Sequence, residues 1–563
     1  MIDWIIQTLR SHPELAIFLT LGLGYWIGAR KFGNFSLGAV TGVLLAGILV
    51  GQLDIEISSQ VKSVFFIMFL FAVGYGVGPQ FVRGLASDGL PQALFGVVIS
   101  LLCLLCAYIA IVIQGYDIGL GAGLYAGATT ISASIGLATD AVNGLGKTAA
   151  ETKALLDKIP VAYAITYLWG TIGTGLILSV IGPKLLRVDL EKECARYERE
   201  MSGGLPAGSG PSAWRQVEVR AFELQADSHV AGKTVVEAEA TAKNGARLFV
   251  EGLRRNGELI EVTPELTLQA GDVVAVSAPR DIIVELGSRA KEVEDQALLD
   301  VPVEKVDVVV TSKATSGRTI LELAGETFAR GVYLSKITRG STSVDIPILP
   351  KTVIHRGDIL TLMGSRKHTD AVVAALGYAD RPTDATDMVW VGLAILLGGL
   401  VGAVVLPLGG VPITLSTSGG ALIAGILLGW LRSVHPTFGR VPSGALWMMN
   451  SVGLNVFIAI VGIMSGPTFI AGVKEAGFGL LFWGIFVTSV PMLLAPLIGK
   501  YVFKFDPAIN LGCCGGARTS TASVAMVGDV AKSNVPMLGY TVPYAVSNTL
   551  LTLWGLVIVL LLR

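Results

Sequence analysis

Apolar residues along this chain come in runs of about 20, the length that crosses the hydrocarbon of a bilayer as a helix. They fall near 14–29, 36–52, 61–80, 91–113 and 160–182, and again near 388–408, 415–431, 446–466, 479–499 and 539–562. Each set of five is interrupted by one segment of another kind, rich in glycine, threonine and serine, near 118–143 and 508–531. Between the sets the pattern changes. From Arg187 to Asp387 lie roughly two thirds of all Asp, Glu, Lys and Arg, and apolar positions alternate with polar ones as in half-buried strands. The pattern predicts an α-helical polytopic membrane protein with an α+β insert. Its expected divisions are a membrane unit (1–186), a linker (187–214), two small domains (215–295 and 296–381) and a second membrane unit (382–563).

Composition sharpens this in one direction. Only 15% of residues are charged and 52% are apolar, with a mean hydropathy of +0.65, against about 25% charged in soluble domains. The net charge of −1 argues against a nucleic-acid partner. The N-terminus lacks a basic start and a small-residue cleavage site, so no cleavable signal peptide is expected. Five cysteines do not make a disulfide framework. Cys103, Cys106, Cys194, Cys513 and Cys514 have no His or acid clustered with them and read as apolar filler rather than metal ligands. No Walker motif or nucleophile constellation appears, so neither ATP drive nor catalysis is expected, and no metal or cofactor.

The insert repeats itself. "AGKTVVEAEATAKNGARLFVEGLRRNGELIEVTPELTLQAGDVVAV" begins at Ala231 and "SGRTILELAGETFARGVYLSKITRGSTSVDIPILPKTVIHRGDILTL" at Ser316. Gly232 matches Gly317, Gly245 matches Gly331, and Gly271-Asp272 matches Gly357-Asp358. Each unit reads as strand, short helix, alternating strands, then a Gly-Asp turn into another apolar strand. "MSGGLPAGSGPSAW" ahead of the first is a Gly/Ser/Pro linker.

The membrane units repeat too. "GVLLAGILVG" (42–51) matches "GALIAGILLG" (420–429), and "AVGYGVGPQF" (72–81) matches "IVGIMSGPTF" (460–469). "GATTISASIGLATD" (127–140) matches "GARTSTASVAMVGD" (516–529), and "IPVAYAITYLWG" (159–170) is similar to "VPYAVSNTLLTLWG" (542–555). If each polar segment dips in and returns, each copy crosses five times and the copies are inverted. Arg30, Lys31, Arg83, Lys184 and Arg187 then share one side with Arg432, Arg440, Lys500 and Lys504. Positive residues stay inside, so the insert is expected in the cytoplasm and both termini outside. Inverted repeats with discontinuous elements place substrates near the repeat interface.

Irregular backbone at membrane depth survives only where protein or water surrounds it. Thr129, Thr130, Ser132 and Ser134 in one segment, and Thr519, Ser520, Thr521 and Ser523 in the other, offer hydroxyls that can replace a solute's hydration. Arg518 is the charge among them. An intramembrane charge is costly, and a guanidinium suits a carboxylate because two parallel N–H donors meet two oxygens. Its matching residue is the uncharged Thr129. The alternative is an ion pair with Asp140 or Asp529, which end the two segments and read as candidates for coupling, for a substrate amine, or for capping a turn. Gly74, Gly78 and Pro79, matched by Gly462, Gly466 and Pro467, suit close helix packing and gating, the prolines ending or kinking their helices. Pro160 and Pro543 are expected to open the last helix of each copy, with Tyr163, Tyr544 and Asn548 lining a cavity.

Taken together these features resemble a known group. The two halves, the Gly-xxx-Gly-Pro-x-Phe element and the "GATT"/"GART" pair look like the aspartate:alanine exchanger family, and the two central units resemble the TrkA-C (RCK-C) ligand-sensing domain. The resemblance covers nearly the whole chain. It implies a bacterial inner-membrane antiporter, often a homodimer, surrounded by lipid, that exchanges small carboxylates such as aspartate for alanine electrogenically. Related members are thought to export succinate. It names no ligand for the TrkA-C-like domains, which either bind a regulatory ligand or only hold subunits together. Two other classes stand beside it: a TrkA-C-gated ion channel, for which no TVGYG-like filter is present, and a membrane sensor without transport.

Overall fold

The computed structural model describes residues 2–32, 35–36, 38–84, 89–202, 217–240, 248–287, 290–300, 303–339, 344–379, 385–408, 411–435 and 438–563. Two compact units result. One comprises Met1–Tyr197, Arg339–Val344 and Pro382–Arg563, the other Glu198–Thr338 and Asp345–Arg381.

The helical unit opens with α1 (Ile2–Ser11), α2 (Pro13–Gly28), the hairpin β1–β2 (Lys31–Phe32, Phe35–Ser36), α3 (Ala39–Gly51), α4 (Ser59–Gly84) and α5 (Leu90–Gln114). Two short helices follow, α6 (Ile118–Ala128) and α7 (Ala133–Asn143). Then α8 (Ala149–Leu176) runs through a π turn (Ile177–Ile181) into α9 (Gly182–Leu186) and the polar α10 (Leu190–Ser202).

In the second unit the strands β3 (Val217–Glu223), β4 (Phe249–Arg255), β5 (Glu258–Ile260), β6 (Val273–Pro279) and β7 (Lys291–Val293) form an antiparallel sheet in the order β5-β4-β6-β3-β7. The short helices α11 (Val235–Glu239), α12 (Arg280–Gly287) and α13 (Gln296–Leu299) accompany it. The strands β8 (Val303–Val310), β9 (Val332–Arg339), β10 (Val344–Asp345), β11 (Ile359–Ser365) and β12 (Gly377–Ala379) repeat the order as β10-β9-β11-β8-β12, with α14 (Ile320–Ala324) and α15 (Arg366–Leu376). The correspondence is detailed. A bulge interrupts β4 between Val250 and Gly252 and, likewise, the β9–β11 register at Thr361/Leu362. Thr234 with Glu237 and Thr319 with Glu322 form capping boxes on α11 and α14. Hydrogen bonds from Thr234, backbone first and hydroxyl second, hold the Glu237 carboxyl below its ordinary range. Gly232, Gly317, Gly271 and Gly357 all take positive φ; Gly245 lies outside the described residues. The two domains meet through the Arg330–Glu239 ion pair (2.6 Å) and the Tyr333 hydroxyl donating to the Ser277 carbonyl (2.9 Å).

The second half of the helical unit holds α16 (Met388–Gly402), the hairpin β13–β14 (Leu406–Leu408, Val411–Ile413) and α17 (Ser416–Val434). It continues with α18 (Ser443–Tyr501), α19 (Pro507–Ala517), α20 (Thr521–Ala531) and α21 (Thr541–Leu561). α18 is two helices joined at Gly477 (φ 60°, ψ −169°).

Seven helices among the described residues are long and apolar enough to cross a membrane: Ser59–Gly84, Leu90–Gln114, Ala149–Leu186, Ser416–Val434, Ser443–Lys474, Gly477–Tyr501 and Thr541–Leu561. The other three expected crossings, α2, α3 and α16, are apolar but have 16, 13 and 15 residues. At about 1.5 Å per residue they fall short of a hydrocarbon core roughly 30 Å thick. Three expectations are corrected. α8 starts at Ala149, so Pro160 lies inside it rather than opening it; the polar first turns escape a hydropathy reading, but the Thr148/Glu151 capping box marks the start. Pro79 and Pro467 do not end their helices, which continue to Gly84 and Lys474. The expected linker begins as α10, and its Gly/Ser/Pro stretch, 203–214, lies outside the described residues.

The halves are joined by glycines. A Cβ on Gly74 or Gly78 of α4 would strike the Leu422 or Ile426 carbonyl of α17, and one on Gly425 or Gly429 of α17 would strike the Phe71 or Tyr75 carbonyl of α4. The same exchange with halves swapped joins α3 to α18. Gly47 and Gly51 face the Ala459 and Ile463 carbonyls, and Gly462 and Gly466 face those of Leu44 and Ile48. Small residues let helix backbones touch, and here each touching pair takes one helix from each half.

Candidate functional site

Both polar segments fold as two 11-residue helices with a break between them. Asp117 caps α6 by accepting from the Leu120 N–H (2.9 Å), and Asp506 caps α19 by accepting from the Ala508 N–H (2.9 Å). The breaks are built alike. Thr130 N–H donates to the Gly127 carbonyl and Ile131 N–H to Ala126; Thr519 N–H donates to Gly516 and Ser520 N–H to Gly515. Thr130 (φ 56°) and Thr519 (φ 55°) both sit in the left-handed region, which closes a helix C-terminus. It costs a non-glycine residue about 1–3 kcal/mol.

Each helix pair dips and returns. Gly121 of α6 packs against Leu562, the Tyr125 hydroxyl donates to the Leu551 carbonyl (2.8 Å), Ser134 lies against Gly555, and Asp140 and Gly144 of α7 share a crevice with Leu560 and Arg563. Read along α21, the chain descends from the level of Leu562 to that of Leu551 and climbs back. That is a depth of about 16 Å at 1.5 Å per residue. The α19–α20 pair does the same beside α8–α10. Ala508 lies by Cys194, Leu511 by Gly182, Met526 by Gly175, and Lys532 reaches Glu191 (3.2 Å). Gly119 and Gly123 of α6 pack on the Leu155 and Ile159 carbonyls, near the start of α8, whereas Leu511 of α19 packs beyond its end. The hairpins therefore enter from opposite ends of α8.

They meet at Arg518. This side chain is fully buried, and its two Nη atoms donate to the carbonyls of Thr129 and Ala128, the last of α6. Those carbonyls carry the negative end of the helix dipole, so the cation is matched by partial charges rather than by Asp140 or Asp529. Thr488 of α18 adds a hydroxyl to the Ala128 carbonyl (2.9 Å). The Arg518 Nε is buried with no hydrogen-bond partner.

The remaining candidates divide. Around the first break Thr129, Ser132 and Ser134 are buried, and their hydroxyls bond locally: Thr129 to the Tyr125 carbonyl (2.6 Å), Ser132 with the Tyr163 hydroxyl (2.6 Å), Ser134 to the Ile131 carbonyl (2.8 Å). Around the second, Thr519 and Ser520 are half-buried and Thr521 is exposed. Ser520 bonds Ser523 (2.6 Å), and Thr521 bonds the Tyr540 hydroxyl (2.7 Å). Thr521, Ala525 and Asp529, at helical spacing, are all exposed along α20, whereas α7 is buried over most of its length. Asp140 is half-buried at the first hairpin's mouth beside Thr414 and Ser416; Asp529 is exposed at the mouth of the second. Pro160, Pro543 and Asn548 are buried in helix packing, and Tyr544 is partly so.

Structure also corrects one repeat match. Gly127 packs on Tyr163 and Gly516 on Tyr540, and Tyr163–Tyr167 and Tyr540–Tyr544 are ring pairs with centroids 5.1 Å apart in each half. Tyr163 thus corresponds to Tyr540, and Tyr544 to Tyr167. The Tyr-xxx-Tyr spacing was the available signal, as was the aromatic-Asp pair (Tyr116-Asp117, Phe505-Asp506) for the two caps. No group of three His, Cys, Asp or Glu able to hold a metal occurs among the described residues.

Comparison with known proteins agrees with this architecture. Residues 16–183 and 390–560 match the family described as Predicted Permease Membrane Region (Asp-Al_Ex), and 219–289 match the TrkA-C domain. An uncharacterized transporter of Shewanella oneidensis is 50% identical over 563 residues, the whole of both chains. One of Bradyrhizobium diazoefficiens is 41% identical over 520 residues, covering 92% of this chain and all of its own. One of Bordetella parapertussis is 36% identical over 570 residues, covering 99% and 98%. No solved structure matches the chain. With both membrane halves matched and relatives similar end to end, the chain belongs to the Asp-Al_Ex family of membrane permeases, with a TrkA-C domain in its insert.

Proposed function

We propose that this transporter is a secondary antiporter for small carboxylates, with aspartate-for-alanine exchange as the leading pair and a dicarboxylate such as succinate as the second reading. The observation that carries it is the meeting of two re-entrant hairpins, from opposite ends of α8, at one buried guanidinium. Arg518 places its end-on edge, the two Nη atoms, on the α6 carbonyls. Its side edge, the unpartnered Nε with the neighbouring Nη2, is the pair of donors that fits a carboxylate. The substrate then adds to the tie between hairpins rather than replacing it. The exposed Thr521–Ala525–Asp529 stripe supplies the path from the mouth of the second hairpin to the break. Alternating access follows if the first hairpin opens its own side in turn. In this reading the protein sits in a bacterial inner membrane with the insert and the second hairpin's mouth facing the cytoplasm, where the positive residues lie.

The test is counterflow of labelled aspartate, alanine and succinate into liposomes holding the purified protein. Exchange of aspartate for alanine, with neither moving alone, supports the leading pair; exchange confined to succinate supports the second. Uptake of potassium in place of any of the three favours a gated channel and sinks both.

A further inference from the structure

The two hairpins are anchored by different parts of the chain. In the first, Asp117, the cap of α6, pairs with Lys158 of α8 (2.9 Å), a helix of the same half. In the second, Asp506, the cap of α19, pairs with the Nη2 of Arg196 in α10 (2.8 Å), and Glu193 holds the Nε of the same guanidinium (2.9 Å). The same helix reaches the other arm of the hairpin at its mouth, where Glu191 pairs with Lys532, the C-cap of α20 (3.2 Å). Between these contacts the buried Cys194 lies against the Ala508 carbonyl. α10 thus grips both ends of one hairpin and neither end of the other. It is also the last helix before the insert, and it is continuous from Leu190 to Ser202.

We infer that Arg196 and Glu191 are positioning residues for transport: α10 sets the α19–α20 hairpin, and with it Arg518. The inference rests on the proposed function for its transport consequence but not for the clamp itself. A hairpin held at both ends by one rigid element moves as a body with that element. Releasing the ion pair at Asp506 frees the end of α19, whose other end carries Arg518 eleven residues on.

The test separates capping from clamping. Asp506→Asn keeps an N-cap acceptor and removes the charge that Arg196 meets. Arg196→Ala removes the partner, and Arg196→Lys keeps a cation. Backbone hydrogen exchange is followed by mass spectrometry on the full-length protein without substrate. Both Asp506→Asn and Arg196→Ala are expected to speed exchange in peptides from 505–532 by about two- to fivefold, the range for a partly exposed ion pair, while peptides from 117–143 keep the parent rate. Arg196→Lys should recover most of the protection. Lys158→Ala should do the converse, loosening 117–143 only. In counterflow the Arg196 and Asp506 variants should lower the maximal exchange rate by a similar factor, with half-saturation within about twofold of the parent.

Parent-like hydrogen exchange across 505–532 in both variants overturns the clamp. Faster exchange with unchanged transport rate overturns the positioning role and leaves a structural contact. If the parent moves none of the three substrates, the proposed function fails, while the hydrogen-exchange comparison still decides the clamp.

Discussion

The hairpins α6–α7 and α19–α20 share length, caps, break geometry and the left-handed threonine, yet they differ in what they show to their surroundings. The first is enclosed, the hydroxyls of Thr129, Ser132 and Ser134 bonded to neighbouring backbone or to Tyr163. The second leaves one face of α20 bare and puts a guanidinium where the first has Thr129. A duplicated frame has therefore been kept for its backbone and altered in its side chains. The α6 carbonyls that end the first hairpin become the partners of the charge in the second. In the proposed reading the two hairpins give the two faces of access, and Arg518 in place of Thr129 gives the preference for an anion.

The largest contrast is all-or-none. If the hairpins open on opposite faces, single cysteines at Lys147 and Asn534, both exposed at the mouths, should label differently in a cysteine-free background. An impermeant thiol reagent on intact cells should reach the cysteine of Lys147→Cys and reach that of Asn534→Cys only after permeabilisation. Equal labelling breaks the comparison at its root.

Next comes the charge. Arg518→Ala should lose roughly 2–5 kcal/mol of carboxylate binding, by analogy with desolvated charge pairs, or at least about thirtyfold in affinity. Arg518→Lys should fall between, keeping charge without the fork. Thr129→Ala should cost only about 1 kcal/mol, one neutral hydrogen bond. Equilibrium binding of labelled aspartate, alanine and succinate reads all three, and parent-like binding by Arg518→Ala would make the arginine structural.

A smaller effect tests the frame that both hairpins share. Gly425→Ala forces a methyl into the Phe71 carbonyl of α4 and should destabilise by about 1–3 kcal/mol, seen as a lower melting temperature in detergent. Gly51→Ala, at the α3–α18 contact, should do the same if the two contacts are equivalent. Smallest of all, Thr130→Gly and Thr519→Gly relieve left-handed backbone. Each should change stability by less than about 1 kcal/mol, since the gain in strain is offset by the chain entropy of glycine. Unequal shifts would show that only one break is strained.

Much of this frame was legible. Gly, Thr and Ser runs at "GATTISAS" and "GARTSTAS" marked the breaks because these residues tolerate or cap non-helical backbone, and the structure breaks each segment within that run. The apolar spans located the long helices because burial in lipid demands them. Less was legible where polarity and helix coincide. The first turns of α8 are polar and fall before the apolar run at 160–182, and the charged α10 falls within the expected linker. The partner of Arg518 is hidden for another reason: backbone carbonyls leave no mark in a sequence, which offers only Asp140 and Asp529 as counter-charges. The Tyr163–Tyr540 match is masked by the Trp169-Gly170 and Trp554-Gly555 pairs, since helix register, not residue identity, decides which tyrosine faces the glycine.

The crossed glycine contacts also bear on how the protein is made. Gly74 and Gly78 find the carbonyls they fit only on α17, and Gly47 and Gly51 find theirs only on α18. A nascent first half therefore leaves the ribosome with two bare grooves and waits while the insert is translated, on the order of ten to forty seconds at bacterial elongation rates of roughly 5–20 residues per second. During that interval the α6–α7 break is without the second-half neighbours that meet its carbonyls in the folded chain, Arg518 and Thr488. The insert, central in sequence, is thus also a delay line in membrane assembly.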